Sequence, residues 1–262
     1  MVDRVKVFKS WRSYSSFERA VKHETRYIHS DEVSRFLQTV LETAEKRIAS
    51  FPRGAILWRA QLGHDWRFEN KEIGELPAPH KPERMCPRTE RANEGRANPK
   101  GIPYLYLASN RKTAMAEVRP WVGSYVSVGQ FKVVRDLKVV DCTSEKKGYT
   151  IYLREPSAKK REGAVWREID EAFAEPINAT DDVADYVATQ VLSETFKSRG
   201  FDGLCYRSSL GDGYNAALFD IHAAEIINCF LYEVERIRFA FSEKSNPYFL
   251  KKHYKSKKPD KV

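Results

Sequence analysis

Gly95-Arg96-Ala97-Asn98-Pro99-Lys100-Gly101-Ile102-Pro103-Tyr104-Leu105-Tyr106-Leu107-Ala108 is the stretch from which the rest of the chain can be ordered. Glycines and prolines around Asn98 call for a tight turn. From Ile102 to Ala108 the residues alternate as in a strand, with Tyr104 and Tyr106 on one face. A short helix from about Thr113 then carries Glu117 before Pro120 interrupts it. One arginine, two tyrosines and one carboxylate thus follow each other on a turn, a strand and a helix. The ends of such elements are where a fold aims side chains into a shared pocket. A guanidinium, an aromatic face and a carboxylate suit a site that holds an anionic nucleotide and breaks a glycosidic bond beside it.

Working outward, Ile56-Leu57-Trp58-Arg59-Ala60 reads as a strand, and strand-like runs recur at 125–134, 138–143, 203–206, 216–219 and 226–234. Residues 62–95 hold Pro77, Pro79, Pro82 and Pro87 without periodicity and are expected to form a long surface loop. Towards the N-terminus, Val33, Phe36, Leu37, Val40, Leu41, Ala44 and Ile48 repeat at three- and four-residue spacing behind a Ser30 cap, a helix over about 31–48. The segment with Trp11, Tyr14 and Phe17 reads as helical too. Phe51-Pro52-Arg53-Gly54 closes this part. A polar, charged stretch covers 144–179. Beyond it, Thr180 can cap a helix with Asp181 and Asp182 in its first turn, Val183, Val187, Val191 and Phe196 on one face, and Gly200 at its end. Strands and short helices without strict β-α-β alternation indicate an α+β fold. The expected division is a helical extension over 1–52, a main domain over 53–240 and a basic, disordered tail over 241–262.

The chain has 262 residues, 42% of them hydrophobic, enough to bury a core. Neither an apolar run long enough for a membrane span nor a signal core is present, so the expectation is a cytoplasmic protein with no membrane partner. Cys86, Cys142, Cys205 and Cys229 are widely spaced and the six histidines are scattered, which favours reduced thiols near the core and no metal. The net charge of +9 is concentrated. Six lysines and one aspartate lie between Lys251 and Val262, and six basic residues with three glutamates lie between Lys81 and Lys100. Weak nucleic-acid contact through the tail is therefore expected. A non-enzymatic nucleic-acid-binding protein is the competing class, although no helix-turn-helix, zinc-finger or RNA-recognition signature is present.

Several residues allow two readings. Arg59, in an apolar strand, either closes a buried ion pair or faces a pocket and binds an anion. Arg96 is either a solvated turn residue or a fork for a pyrophosphate. Tyr104 and Tyr106 are core aromatics, or one of them forms a pocket wall against a planar ring. Glu117 lies on the open side of its helix, or stands beside a reacting ribose. Ser208 and Ser209 precede Gly211-Asp212-Gly213 as a polar turn, with no nucleophile elbow to support a hydrolase serine.

In this order the pieces resemble the RES domain, a family named for an arginine, a glutamate and a serine. They are Leu57-Trp58-Arg59, Gly95 to Gly101, Tyr104-Leu105-Tyr106, Ala116-Glu117, Tyr206-Arg207-Ser208-Ser209 and Asn215-Ala216-Ala217-Leu218-Phe219. The resemblance spans roughly residues 55–235 and departs from the family pattern at Ala97 and Arg207. It implies an ADP-ribosyltransferase-like mixed β core with short helices. The implied activity is that of an NAD-consuming toxin, a glycohydrolase, phosphorylase or ADP-ribosyltransferase, with NAD as substrate and an antitoxin of helix-turn-helix type as partner. It also implies that Glu117, Ser208 and Arg96 are catalytic, and that Arg59, Arg96, Tyr106, Ser208 and Asn215 bind NAD. A RES-like domain that has lost activity and only binds is the remaining alternative.

Overall fold

The computed structural model describes residues 7–144, 151–175 and 183–241. Two helices come first, α1 (Ser13–His23) and α2 (Asp31–Ala44). Strands β1 (Ile48–Phe51), β2 (Ile56–Leu62), β3 (Asp65–Asn70) and β4 (Gly74–Ala78) follow, then a single turn α3 (Pro82–Met85). Next come β5 (Leu105–Ala108), α4 (Arg111–Glu117), β6 (Tyr125–Val133), β7 (Leu137–Asp141) and α5 (Ala158–Ala174). The chain continues with α6 (Val187–Ser198), β8 (Gly203–Arg207), β9 (Tyr214–Leu218) and β10 (Ala224–Glu233). Eight strands form one sheet in the order β1-β7-β8-β9-β5-β2-β6-β10. Only β7 and β8 run parallel; the other neighbours are antiparallel. This is the expected α+β class.

Alternation along the central strands divides the core. Tyr104, Leu204, Tyr206, Ala217 and Phe219 join the cluster formed with α1, α2, α5 and α6, whereas Leu105, Leu107, Cys205, Ala216 and Leu218 join a second cluster on the other face. A strand buried on both faces needs apolar residues at every position, which explains the unbroken runs Leu105-Tyr106-Leu107-Ala108 and Ala216-Ala217-Leu218. Each large side chain buried this way contributes roughly 1.5–3 kcal/mol. Cys142 and Cys205 are buried, and Cys86 and Cys229 half-buried, all as free thiols.

Ser30 caps α2 by accepting from Val33 N at 3.3 Å, with Asp31 and Glu32 in the first turn. The helix stops at Ala44, so Ile48 is not helical as expected. It starts β1, which pairs antiparallel with β7 through Ile48↔Val140. The N-terminal helices share the core cluster with α5 and α6, and Trp166 Nε1 donates to Thr43 Oγ1 at 3.1 Å.

Two further expectations are corrected. Residues 62–95 are not a structureless loop, because β3 and β4 form a separate hairpin ribbon with Trp66 and Phe68 each 61% exposed. Pro77 sits in this two-stranded ribbon, where only one neighbouring strand asks for hydrogen bonds. The charged segment 144–179 contains α5, whose Val165, Trp166, Ile169 and Phe173 are buried. Its density of charged residues obscures that stripe. The capping residues Thr180 to Asp182 and the basic tail lie outside the described residues. The helix they were expected to open runs as α6, with Val187 and Phe196 buried. Gly200, at φ +89°, ends it in the left-handed conformation that glycine tolerates.

Candidate active site

The turn before β5 is built around Asn98, which is 2% exposed. Its Nδ2 donates to the carbonyls of Asn93, Pro99 and Ile102, and its Oδ1 accepts from Tyr106 Oη at 2.8 Å. Tyr106 Oη in turn accepts from Ala97 N at 2.9 Å. A Cβ on Gly95 would lie 2.8 Å from both Asn98 Oδ1 and Tyr106 Oη, so only glycine fits there. From α6, Gln190 Nε2 donates to the carbonyls of Gly95 and Asn98, and Thr189 Oγ1 donates to that of Arg96. Ala97 is fully buried in the helical core. The Tyr106 hydroxyl is thus satisfied internally, while its ring lines a cleft. Burial pushes the Tyr106 and Tyr206 phenols far up, so both stay neutral.

Arg96 is not the solvated turn residue that one reading allowed. Its Nη1 donates to Ala172 O at 2.8 Å and its Nη2 to Glu175 O, and its guanidinium lies 5.3 Å from the Tyr186 ring centroid. These bonds cap the last turn of α5. Arg96 thereby ties the turn to α5 as well as lining the cleft, and only its remaining N–H groups are left for an anion.

Glu117 is the last residue of α4, whose Asn110 cap accepts from Thr113 N at 2.9 Å. A carboxylate at a helix C-terminus gains nothing from the helix dipole, so other groups must hold it. Ser208 Oγ and Asn215 Nδ2 both donate to Glu117 Oε1, each at 2.7 Å, and neither bond involves Oε2. Ser208 is fixed in turn because its Oγ accepts from Leu210 N at 3.2 Å and Gly211 N at 3.0 Å. Ser208 and Asn215 are buried, whereas Glu117 stays exposed at the mouth of the cleft.

Arg96, Tyr106, Glu117 and Asn215 line one cleft of about 410 Å³ together with Tyr206, Phe173 and Glu175. Arg59, Tyr106, Glu117 and Asn215 also line an adjoining cavity of about 200 Å³ with Trp58 and Tyr206. Arg59 Nη1 donates to Tyr106 O at 3.3 Å, whereas its Nε is buried without a partner. The ion pair allowed by the sequence does not form among the described residues. Among the described residues, the groups that favour its charge are Cys86 and Tyr106, while burial holds its pKa below the usual value.

The six sequence-proposed residues lie around these two adjoining cavities, Arg96 on the first, Arg59 on the second, Tyr106, Glu117 and Asn215 on both, and Ser208 through its bond to Glu117. The sequence reading missed Asn98 as the anchor of the turn, Tyr206 between the two cavities, and Thr189 and Gln190 as the clamp. Tyr206 carried a signal, since it lies at the open end of an alternating strand. Asn98 looked like any turn asparagine. Among the described residues, no group of three His, Cys, Asp or Glu side chains could hold a metal ion. No helix there is long and apolar enough to cross a membrane.

The sequence matches the model of the RES domain over residues 56–241. The chain belongs to the RES domain family. No curated protein matches it. A solved structure, the M. tuberculosis MbcT-MbcA toxin-antitoxin complex, contains a chain similar at 14% identity with a TM-score of 0.44, covering 74% of this RES chain and 92% of that one.

Proposed function

We propose that this RES domain protein cleaves the bond between nicotinamide and ribose in NAD, as a toxin held in check by an antitoxin. Departure of nicotinamide leaves positive charge on the ribose, and a fixed carboxylate stabilises that charge without the reorganisation that water needs. The observation that carries this reading is Glu117, oriented by two 2.7 Å hydrogen bonds from buried Ser208 and Asn215 at the opening lined by Tyr106 and the arginines. In it, Arg59 takes a phosphate, because no carboxylate among the described residues neutralises its buried guanidinium. Arg96 contributes charge to the same anion and shapes the wall. The Tyr106 ring packs against the nicotinamide end. Ser208 and Asn215 position Glu117, and Asn215 borders the ribose. Family membership supports the toxin role, the antitoxin partner and the use of NAD.

The test is nicotinamide release from NAD by wild-type protein and Glu117→Gln. The expected result is a loss of kcat of at least ~100-fold with little change in KM, the mark of an interaction made in the transition state. Equal release by the two proteins would refute the assignment.

A further inference from the structure

A second groove of about 370 Å³ opens beside the cleft, between α1 and α5. Ala174, Glu175 and Ser209 line both, so the two openings share a wall. Four carboxylates, those of Glu18, Glu168, Glu171 and Glu175, line the second groove, on a chain of net charge +9. Lys22 pairs with Glu18 at 2.8 Å, and Arg207, the one cation among the described residues that line the groove, pairs with fully buried Asp170 at 3.6 Å. The other three carboxylates therefore set its charge. Burial, joined by Glu171 and Glu18, pushes Glu168 up to about 7 against the hydrogen bond from Ser15. A separate sign of a missing ligand is Tyr14. It lines this groove at 4% exposure, and its Oη is buried without a hydrogen-bond partner. Burial first, then the nearby Glu18, Glu168 and Glu175, raise its pKa against the opposing Arg96, so the phenol stays neutral. A neutral hydroxyl can accept a hydrogen bond, and carboxylates can take the remaining protons of a cation.

We propose that this groove is the acceptor subsite. It holds a cationic nitrogen of a protein side chain, a guanidinium or an ammonium, beside the ribose at Glu117, and that nitrogen receives the ADP-ribosyl group. The inference rests on the NAD-cleaving reading above. In the step, the bond between the ribose anomeric carbon and nicotinamide breaks, and its electron pair leaves with neutral nicotinamide. The acceptor nitrogen gives up one proton, and the electron pair this frees forms the new bond to the same carbon. The proton lost by that nitrogen passes to a groove carboxylate and then to water, so no further reagent is needed. Ala174, Glu175 and Ser209 border both openings, and Ser209 directly follows Ser208, which bonds Glu117.

The test uses the whole protein with NAD and two probes, methylguanidine for a guanidinium and butylamine for an ammonium. Calorimetry reads probe binding independently of turnover, and mass spectrometry reads the ratio of ADP-ribosylated probe to free ADP-ribose. The expected result is that a probe binds and is modified, and that Glu168→Gln combined with Glu171→Gln lowers both its affinity and that ratio at least tenfold. Preference for methylguanidine assigns arginine as acceptor, and preference for butylamine assigns lysine. Failure of both probes to bind, or equal binding by the double variant, overturns the subsite. Nicotinamide release with both probes unmodified overturns the acceptor role and leaves the NAD reading standing. Absence of nicotinamide release under every condition overturns the NAD reading, and the acceptor role with it.

Discussion

Replacing Asn215 by aspartate exchanges one donor for a charge without changing the side chain's shape. Asn215 Nδ2 lies 2.7 Å from Glu117 Oε1, so Asn215→Asp sets two carboxylates at that separation. Two unit charges 2.7 Å apart repel by about 6 kcal/mol at an effective dielectric near 20 and by about 1.5 kcal/mol in bulk water. Glu117 is exposed and Asn215 buried, so the pair lies between these limits. At about 1.36 kcal/mol per pKa unit, the pair retains one proton to a pH roughly one to four and a half units above the ordinary carboxylate range. The folded variant then binds a proton that the unfolded chain has already lost. Its added stability is present below about pH 4 and disappears as pH rises through the raised value. Thermal melting from pH 4 to 8 should show the variant's Tm falling across this window relative to wild type, with Asn215→Ala lacking the slope. Nicotinamide release should fall in parallel, because the shared proton cancels the charge that Glu117 needs. Superimposable melting and activity profiles for the three proteins would refute the reasoning, since they would mean that Asn215 does not touch Glu117 in solution.

Gly95→Ala pushes a methyl against Asn98 Oδ1 and Tyr106 Oη, and should cost about 1–3 kcal/mol in denaturant unfolding while lowering kcat. Arg59→Met removes a buried guanidinium that no carboxylate among the described residues neutralises. It should leave Tm unchanged or higher while raising KM for NAD about tenfold or more, a split that melting and kinetics read together. Glu168 has its carboxyl raised to about 7 by burial first, so its stabilising proton is lost as pH rises through neutrality. Tm should fall between pH 6 and 8 in wild type, and Glu168→Gln should flatten that slope.

Much of the order along the chain could be read from local rules. Ser30 with Asp31 and Glu32 marked α2, Gly200 marked the end of α6, and alternation marked β5. Such signals depend on neighbours a few residues apart, and those are present in the sequence itself. The same rules failed at α5, where charged residues surround Trp166, Ile169 and Phe173, and at the β3–β4 ribbon, whose prolines suggest a loop. Ile48 continued a helical spacing, yet hydrogen bonds to β7 made it a strand.

At the candidate site, residue types and their order along the chain singled out Arg59, Arg96, Tyr106, Glu117 and Ser208, and the family resemblance added Asn215. What each of them touches was decided only when the sheet brought distant segments together. Ser208 is 91 residues from Glu117, and Asn215 is 98. Arg96 and Ala172 are 76 positions apart, with all of β6, β7 and most of α5 between them, so no local pattern could show that this arginine caps a helix. Spacing reports periodicity within an element, whereas a hydrogen bond across the sheet depends on strand order and register. Those follow from burying both faces of the sheet at once, a property of the whole core that no single segment carries.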